Sequence, residues 1–170
     1  MSDPGPEIAF HAGEGGGAPD RAALARDLAR LAAEFPRRLS RVDVLLVGDA
    51  EMARLHGVHS GVAETTDVLS FPAHDERDPG CPVEVDLVVS TEVAAREAAE
   101  RGHPVEQEIL LYVVHGTLHA CGYRDDSPES AAAIHAEEDR ILAAAGIGPT
   151  YARGRVGPEA PDAGDRGSRA

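Results

Sequence analysis

No segment restricts the possible folds of this chain more than VEQEILLYVVHGTLHAC, Val105 to Cys121. Ile109, Leu110, Val113, Val114, Leu118 and Cys121 recur at three- and four-residue steps. That spacing predicts a helix with a broad apolar side, which must be buried against other elements. Glu108, Tyr112, His115 and His119 form a separate stripe on the same helix, and the spacing predicts that the histidines leave the core side together. The run Ile109 to Val114 is far below the roughly 18 residues that span a bilayer, so the helix belongs to a folded core rather than a membrane.

The rest of the chain supplies what such a helix packs against. Residues Glu7 to His11 read as a short strand, and the turn GEGGGAP leads to Asp20, an N-cap for a helix to about Phe35 that Pro36 ends. RVDVLLV, Arg41 to Val47, reads as a strand buried on both faces or nearly so. A short helix from Asp49 to about His56 follows, then strands DVLSFP and VEVDLVVS. Thr91 can cap a helix to about Arg101, GHP breaks it before the histidine helix, and Ser127-Pro128 opens a last helix that Gly146 stops. The order predicts a single α+β domain over residues 7–150: one mixed four-stranded sheet packed with about five helices, one of them carrying a metal site. Residues 151–170 are Gly, Pro and charge, the composition of a disordered tail.

A formal charge of -14 repels phosphate backbones at long range, which argues against nonspecific nucleic-acid binding; any RNA contact must use a local basic patch or a protein partner. The N-terminus has no charged segment followed by an apolar one, and two cysteines make a poor disulfide framework. Both point to the cytoplasm, with Cys81 and Cys121 as reduced thiols.

His115 and His119, at i and i+4, lie one turn apart on one helix face and can reach a single Zn²⁺. Gly122 allows the chain to leave the helix in a left-handed turn that swings Asp125 toward the same ion; Asp126 is the alternative third ligand, with the spacing favouring Asp125. HxxxHxxGxxD has the spacing of the metzincin signature, but Gly116 stands where a zinc peptidase carries its glutamate. A glycine inside a helix signals close approach, by substrate or by a packed element. Other residues carry no site: His103 and His135 read as solvated or locally bonded, Cys121 as a buried thiol, and Arg37, Arg38 and Arg41 as a solvated turn.

HGTLHACGYRD, together with TDVLSFP at Thr66 to Pro72 and VEVDLVVS before GHPVEQEILLYVVHG, resembles the YbeY-type endoribonucleases, or rRNA maturation factors. Their signature is similar to H-G-x-L-H-x-x-G-Y-D-H. The resemblance covers roughly His11 to Ala145. It implies a cytoplasmic hydrolase holding one zinc, with ribosomal RNA as substrate and the small ribosomal subunit or one of its proteins as partner; neither DNA nor membrane is expected. Carried over by position, the ligands are His115, His119 and Asp125, the last replacing the family's third histidine. The family's phosphate-handling arginine corresponds to Ser60, and its lysine and proline to Val62 and Thr65. Arg124, next to Asp125, is the candidate substitute cation for phosphate. The leading expectation is a metal-dependent endoribonuclease in rRNA maturation and small-subunit assembly. The alternatives are a ribosome-assembly binding protein that does not cleave, and a small metallopeptidase.

Overall fold

The computed structural model describes residues 3–61 and 65–148. Along the chain these form β1 (Glu7–Ala12), α1 (Arg21–Leu31), β2 (Leu39–Val47), α2 (Asp49–Ser60), β3 (Val68–Pro72), β4 (Val83–Ser90), α3 (Thr91–Arg101), α4 (Val105–Ala120) and α5 (Pro128–Ala143). One sheet has the order β1-β2-β4-β3. β1 and β4 run parallel to β2 on either side of it, and β3 is an antiparallel edge strand on β4. The expected α+β domain with four mixed strands and five helices is therefore what forms. The tail expected over 151–170 lies outside the described residues, as does Val62.

Strand alternation divides the core. Val42, Val44, Leu46, Val85, Leu87 and Val89 face one side and pack with α1, α4 and α5. Val47 and Val88, from the intervening register, pack with Met52 of α2 and with Leu45, Leu55, Leu69 and Phe71 on the other side. On α1, Leu24, Leu28 and Leu31 are all essentially unexposed, each contributing about 1.5–3 kcal/mol of burial. Asp20 caps that helix by accepting from the Ala23 N–H. A 3-10 turn, Ala32–Glu34, finishes the segment that the apolar spacing had extended to Phe35 as one helix.

Three local expectations are corrected. The α3 cap is Ser90, whose side chain accepts from the Val93 N–H; the Thr91 hydroxyl instead donates to the Val47 carbonyl at 3.1 Å. α2 continues past His56 to Ser60, where the Ser60 hydroxyl donates back to the His56 carbonyl at 2.6 Å. The polar stripe of α4 does not leave the core as a unit, because Glu108 is 0% and Tyr112 1% exposed. Helices α1, α3 and α5 and the sheet enclose α4 so fully that a carboxylate had to be buried with it. Its charge is met by Arg101 at 2.8 Å and His103 at 2.6 Å, both from the α3 end of the chain. His103 is thus locally bonded, and the turn between α3 and α4 is pinned by a buried charge that would be costly unpaired.

Gly116 is explained by packing. A Cβ there would sit 2.8 Å from Leu87 Cδ2 and 3.1 Å from Val68 Cγ2, and the Ser70 hydroxyl donates to the Gly116 carbonyl at 2.8 Å. The close approach is that of β3 and β4, not of substrate. Gly116→Val is expected to lower stability by about 1–3 kcal/mol through overpacking, read as a reduced midpoint in urea unfolding of the metal-free protein.

Candidate metal centre

The C-terminal turn of α4 builds the site. Cys121 is the C-cap, and Gly122 takes φ +106°. The Gly122 N–H donates to His119 O at 3.0 Å and the Tyr123 N–H to Leu118 O at 3.1 Å, the paired bonds of a Schellman termination. Tyr123 packs on the core beside them. This reversal returns residues 124–126 across the helix end, as the glycine position predicted.

His115, His119 and Asp125 offer ligand atoms that all lie within 4.8 Å of one another. The two Nε2 atoms are 2.9 Å apart, and Asp125 Oδ2 lies 3.6 Å from His115 Nε2 and 3.4 Å from His119 Nε2. Donors held tetrahedrally at zinc distances stand about 3.3 Å apart, so the triangle has the right size. The hydrogen bonds add a stronger test of fit. The Tyr123 carbonyl can only accept, so His119 Nδ1 carries its proton toward it at 2.9 Å. The carboxylate of Glu138, on α5, likewise accepts from His115 Nδ1. In the neutral imidazoles both Nε2 lone pairs therefore face each other and a carboxylate oxygen. Three electron-pair donors converging on one point are mutually repulsive unless a cation or proton lies among them.

Burial disfavours protonation of His115, but the Glu138 hydrogen bond and charge, with the charges of Asp67 and Asp125, outweigh it and raise its pKa above the usual 6.5. Asp67 begins the DVLSFP segment. Its influence on His115 follows from the seating of Val68 and Ser70 against Gly116, which brings a distant sequence motif to the histidine helix.

The other sequence candidates lie elsewhere or are engaged. Arg124 is exposed and donates through Nε and Nη2 to Asp126 Oδ2 at 2.9 and 2.6 Å, which holds its guanidinium above the ordinary pKa. Asp126 faces that arginine while Asp125 faces the histidines, so the two neighbours are separated by direction. Ser127 caps α5 through the Ser130 N–H. Arg37 donates to the Asp78 and Cys81 carbonyls, Arg38 pairs with Asp3, and Arg41 with Asp43 and Asp86. Cys81 and Cys121 are unbridged; burial pushes the half-buried Cys121 thiol up to about 11, which suits a packed thiol rather than a metal ligand.

Sequence reasoning passed over Glu138. The available signal was an acid on an apolar stripe: Ile134, Glu138 and Ile141 all point into the core at helical spacing. His135, expected to be solvated or locally bonded, stacks on the His115 ring at 6.5 Å, and its Nδ1 lies 3.5 Å from Glu138 Oε2.

Comparison with known proteins places these motifs in a family. The sequence model described as endoribonuclease YbeY matches residues 21–146. Similar proteins include an endoribonuclease YbeY of Halorhodospira halophila, 41% identical over 67% of this chain and 76% of the relative. Another, from Anaeromyxobacter dehalogenans, is 36% identical over 89% of this chain and 80% of the relative. The solution structure of a Thermotoga maritima protein aligns with a TM-score of 0.51 and 25% identity, over 79% of this chain and 89% of that one.

Two outcomes are expected. Asp125→Ala lowers the zinc content of purified protein, while Asp126→Ala leaves it unchanged, by metal analysis after dialysis. Protons compete with metal for His115, so zinc uptake titrated from about pH 8 to about pH 5 declines at a higher pH than an unperturbed imidazole would give.

Proposed function

Because this chain belongs to the endoribonuclease YbeY family, we propose that it is a metal-dependent endoribonuclease acting in ribosomal RNA maturation and small-subunit assembly. The observation that carries the reading is the convergence of His115 Nε2, His119 Nε2 and Asp125 Oδ2 within a family-matched segment. Zinc, one ion per chain, fits two imidazoles and a carboxylate with a fourth position left for water. When bound there it supplies Lewis acidity toward a phosphoryl oxygen and makes water more acidic.

The chain's own residues then orient and hold. The His119 proton committed to Tyr123 O would keep that ring turned with Nε2 free for a cation. As a ligand, the Asp125 carboxylate would add negative charge that three histidines would not, and would make the site more tolerant of harder divalent metals and less acidifying toward water. Family membership supports ribosomal RNA as the proposed substrate and a small-subunit protein as the proposed partner, and such a partner would supply the attraction that a chain of charge -14 does not offer phosphate backbones. This reading locates its work in the cytoplasm, and among the described residues no helix is long and apolar enough to cross a membrane.

A second reading, ribosome-assembly binding without cleavage, rests on Ser60. It stands where the family pattern has a phosphate-handling arginine, and its hydroxyl is turned back onto its own helix. Arg124 can substitute only by leaving Asp126, an exposed pair that water and salt screen. The deciding experiment incubates zinc-loaded protein with structured RNA and, separately, with unfolded polypeptide. RNA cleavage that chelator or His115→Ala abolishes is expected. RNA binding without cleavage would favour the second reading, and cleavage of polypeptide alone would replace both with a metallopeptidase. Ser60→Arg is expected to increase RNA cleavage, and Arg124→Ala to weaken RNA binding and its salt dependence.

A further inference from the structure

We propose that Glu138 is the positioning residue of the metal centre: its buried carboxylate, reaching from α5, holds His115 in the tautomer and orientation that present Nε2 to the ion. The proposal rests on the reading of His115, His119 and Asp125 as ligands.

Glu138 occupies a place where an apolar side chain would serve packing better. It lies one turn from Ile134 and from Ile141, is 0% exposed as they are, and stands in a helix whose inward face is otherwise hydrophobic. A carboxylate taken wholly out of water is unfavourable unless another group meets it, and stability alone would favour Leu or Ile here. What meets it is the centre itself. Oε1 accepts the Nδ1 proton of His115, while Oε2 has no hydrogen-bond partner and faces His135 Nδ1 at 3.5 Å. His135 also lays its ring along His115, with planes 27° apart. The carboxylate is thus flanked by two imidazoles, one a ligand and one partly open to water.

The arrangement has a directional consequence. An imidazole held at Nδ1 by an anion cannot move that proton to Nε2 without giving up the bond, and the anion strengthens Nε2 as a donor. His119 receives the same service from a backbone carbonyl of its own turn, Tyr123 O, which α4 supplies locally. His115, one turn earlier, meets at Nδ1 not a carbonyl of its own turn but a carboxylate from a different helix. Correct docking of α5 is therefore a condition for a competent ligand set, and the last helix belongs to the site although it contributes no ligand.

Zinc affinity, measured by competition with a chromophoric chelator, and the His115 tautomer in the zinc-free protein, measured by ring nitrogen NMR, separate this role from a purely structural one. Glu138→Gln keeps an acceptor oxygen and loses the charge; it should fold, retain the Nδ1–H tautomer and bind zinc about tenfold more weakly. Glu138→Leu removes both and should bind about 100-fold more weakly, with the His115 proton distributed over both nitrogens. Undiminished affinity in Glu138→Gln and Glu138→Leu, or an unchanged tautomer in Glu138→Leu, would overturn the proposal; if the Leu variant does not fold, undiminished affinity in the Gln variant does so alone. Absence of zinc uptake by the unaltered protein would instead overturn the metal reading, and the tautomer comparison, made without metal, would still decide whether Glu138 orients His115.

Discussion

The burial of α4 is the constraint on which the rest of the structure depends. Eleven of its residues are buried, Glu108 and Thr117 among them, so the polar groups it buries must be satisfied by specific partners rather than by water. Thr117 answers this within the helix, donating to Val113 O at 2.7 Å. Glu108 answers it through Arg101 and His103, and so fixes how α3 turns into α4. At the other end His115 answers it through Glu138, and so fixes how α5 lies across α4. The polar exceptions on one buried helix thereby decide the placement of its neighbours.

The same burial explains why motifs far apart in the chain meet. Gly116 has no side chain, so the edge strand β3 and Leu87 of β4 can press directly on the helix backbone. That contact carries the start of β3 to the histidines, and Asp67 acts on His115 as a charge because Val68 and Ser70 are seated on the next residue. A side chain at position 116 would press on Leu87 and Val68 and push the sheet edge away from the histidine helix. Packing of the sheet edge thus accounts for the glycine at the position where a zinc peptidase carries its glutamate.

Electrostatically the centre is surrounded by carboxylates. Asp125, Glu138 and Asp67 all act on His115, while the arginines that sequence spacing brought into question are engaged by acids or carbonyls. A cation at the ligands is favoured by this environment, and a polyanion is not, unless metal and local arginine release offset the repulsion. The local field of the centre therefore favours a cation over a polyanion.

Much was legible in the sequence because it depended on local periodicity. The order of strands and helices, the Asp20 and Ser127 caps, the reversal at Gly122 and the grouping of His115, His119 and Asp125 all follow from spacing along one or two elements, where backbone geometry alone sets the distances. What only tertiary structure decided involved residues whose partners are remote. The sheet order, the meaning of Gly116, the burial of Glu108 and Tyr112, the separation of Asp125 from Asp126 by the Arg124 pair, and the reach of Glu138 to His115 each depend on how elements dock. An acid on an apolar stripe announces that a partner must exist, since a buried charge cannot stand alone, but the identity of that partner is a property of the packed fold.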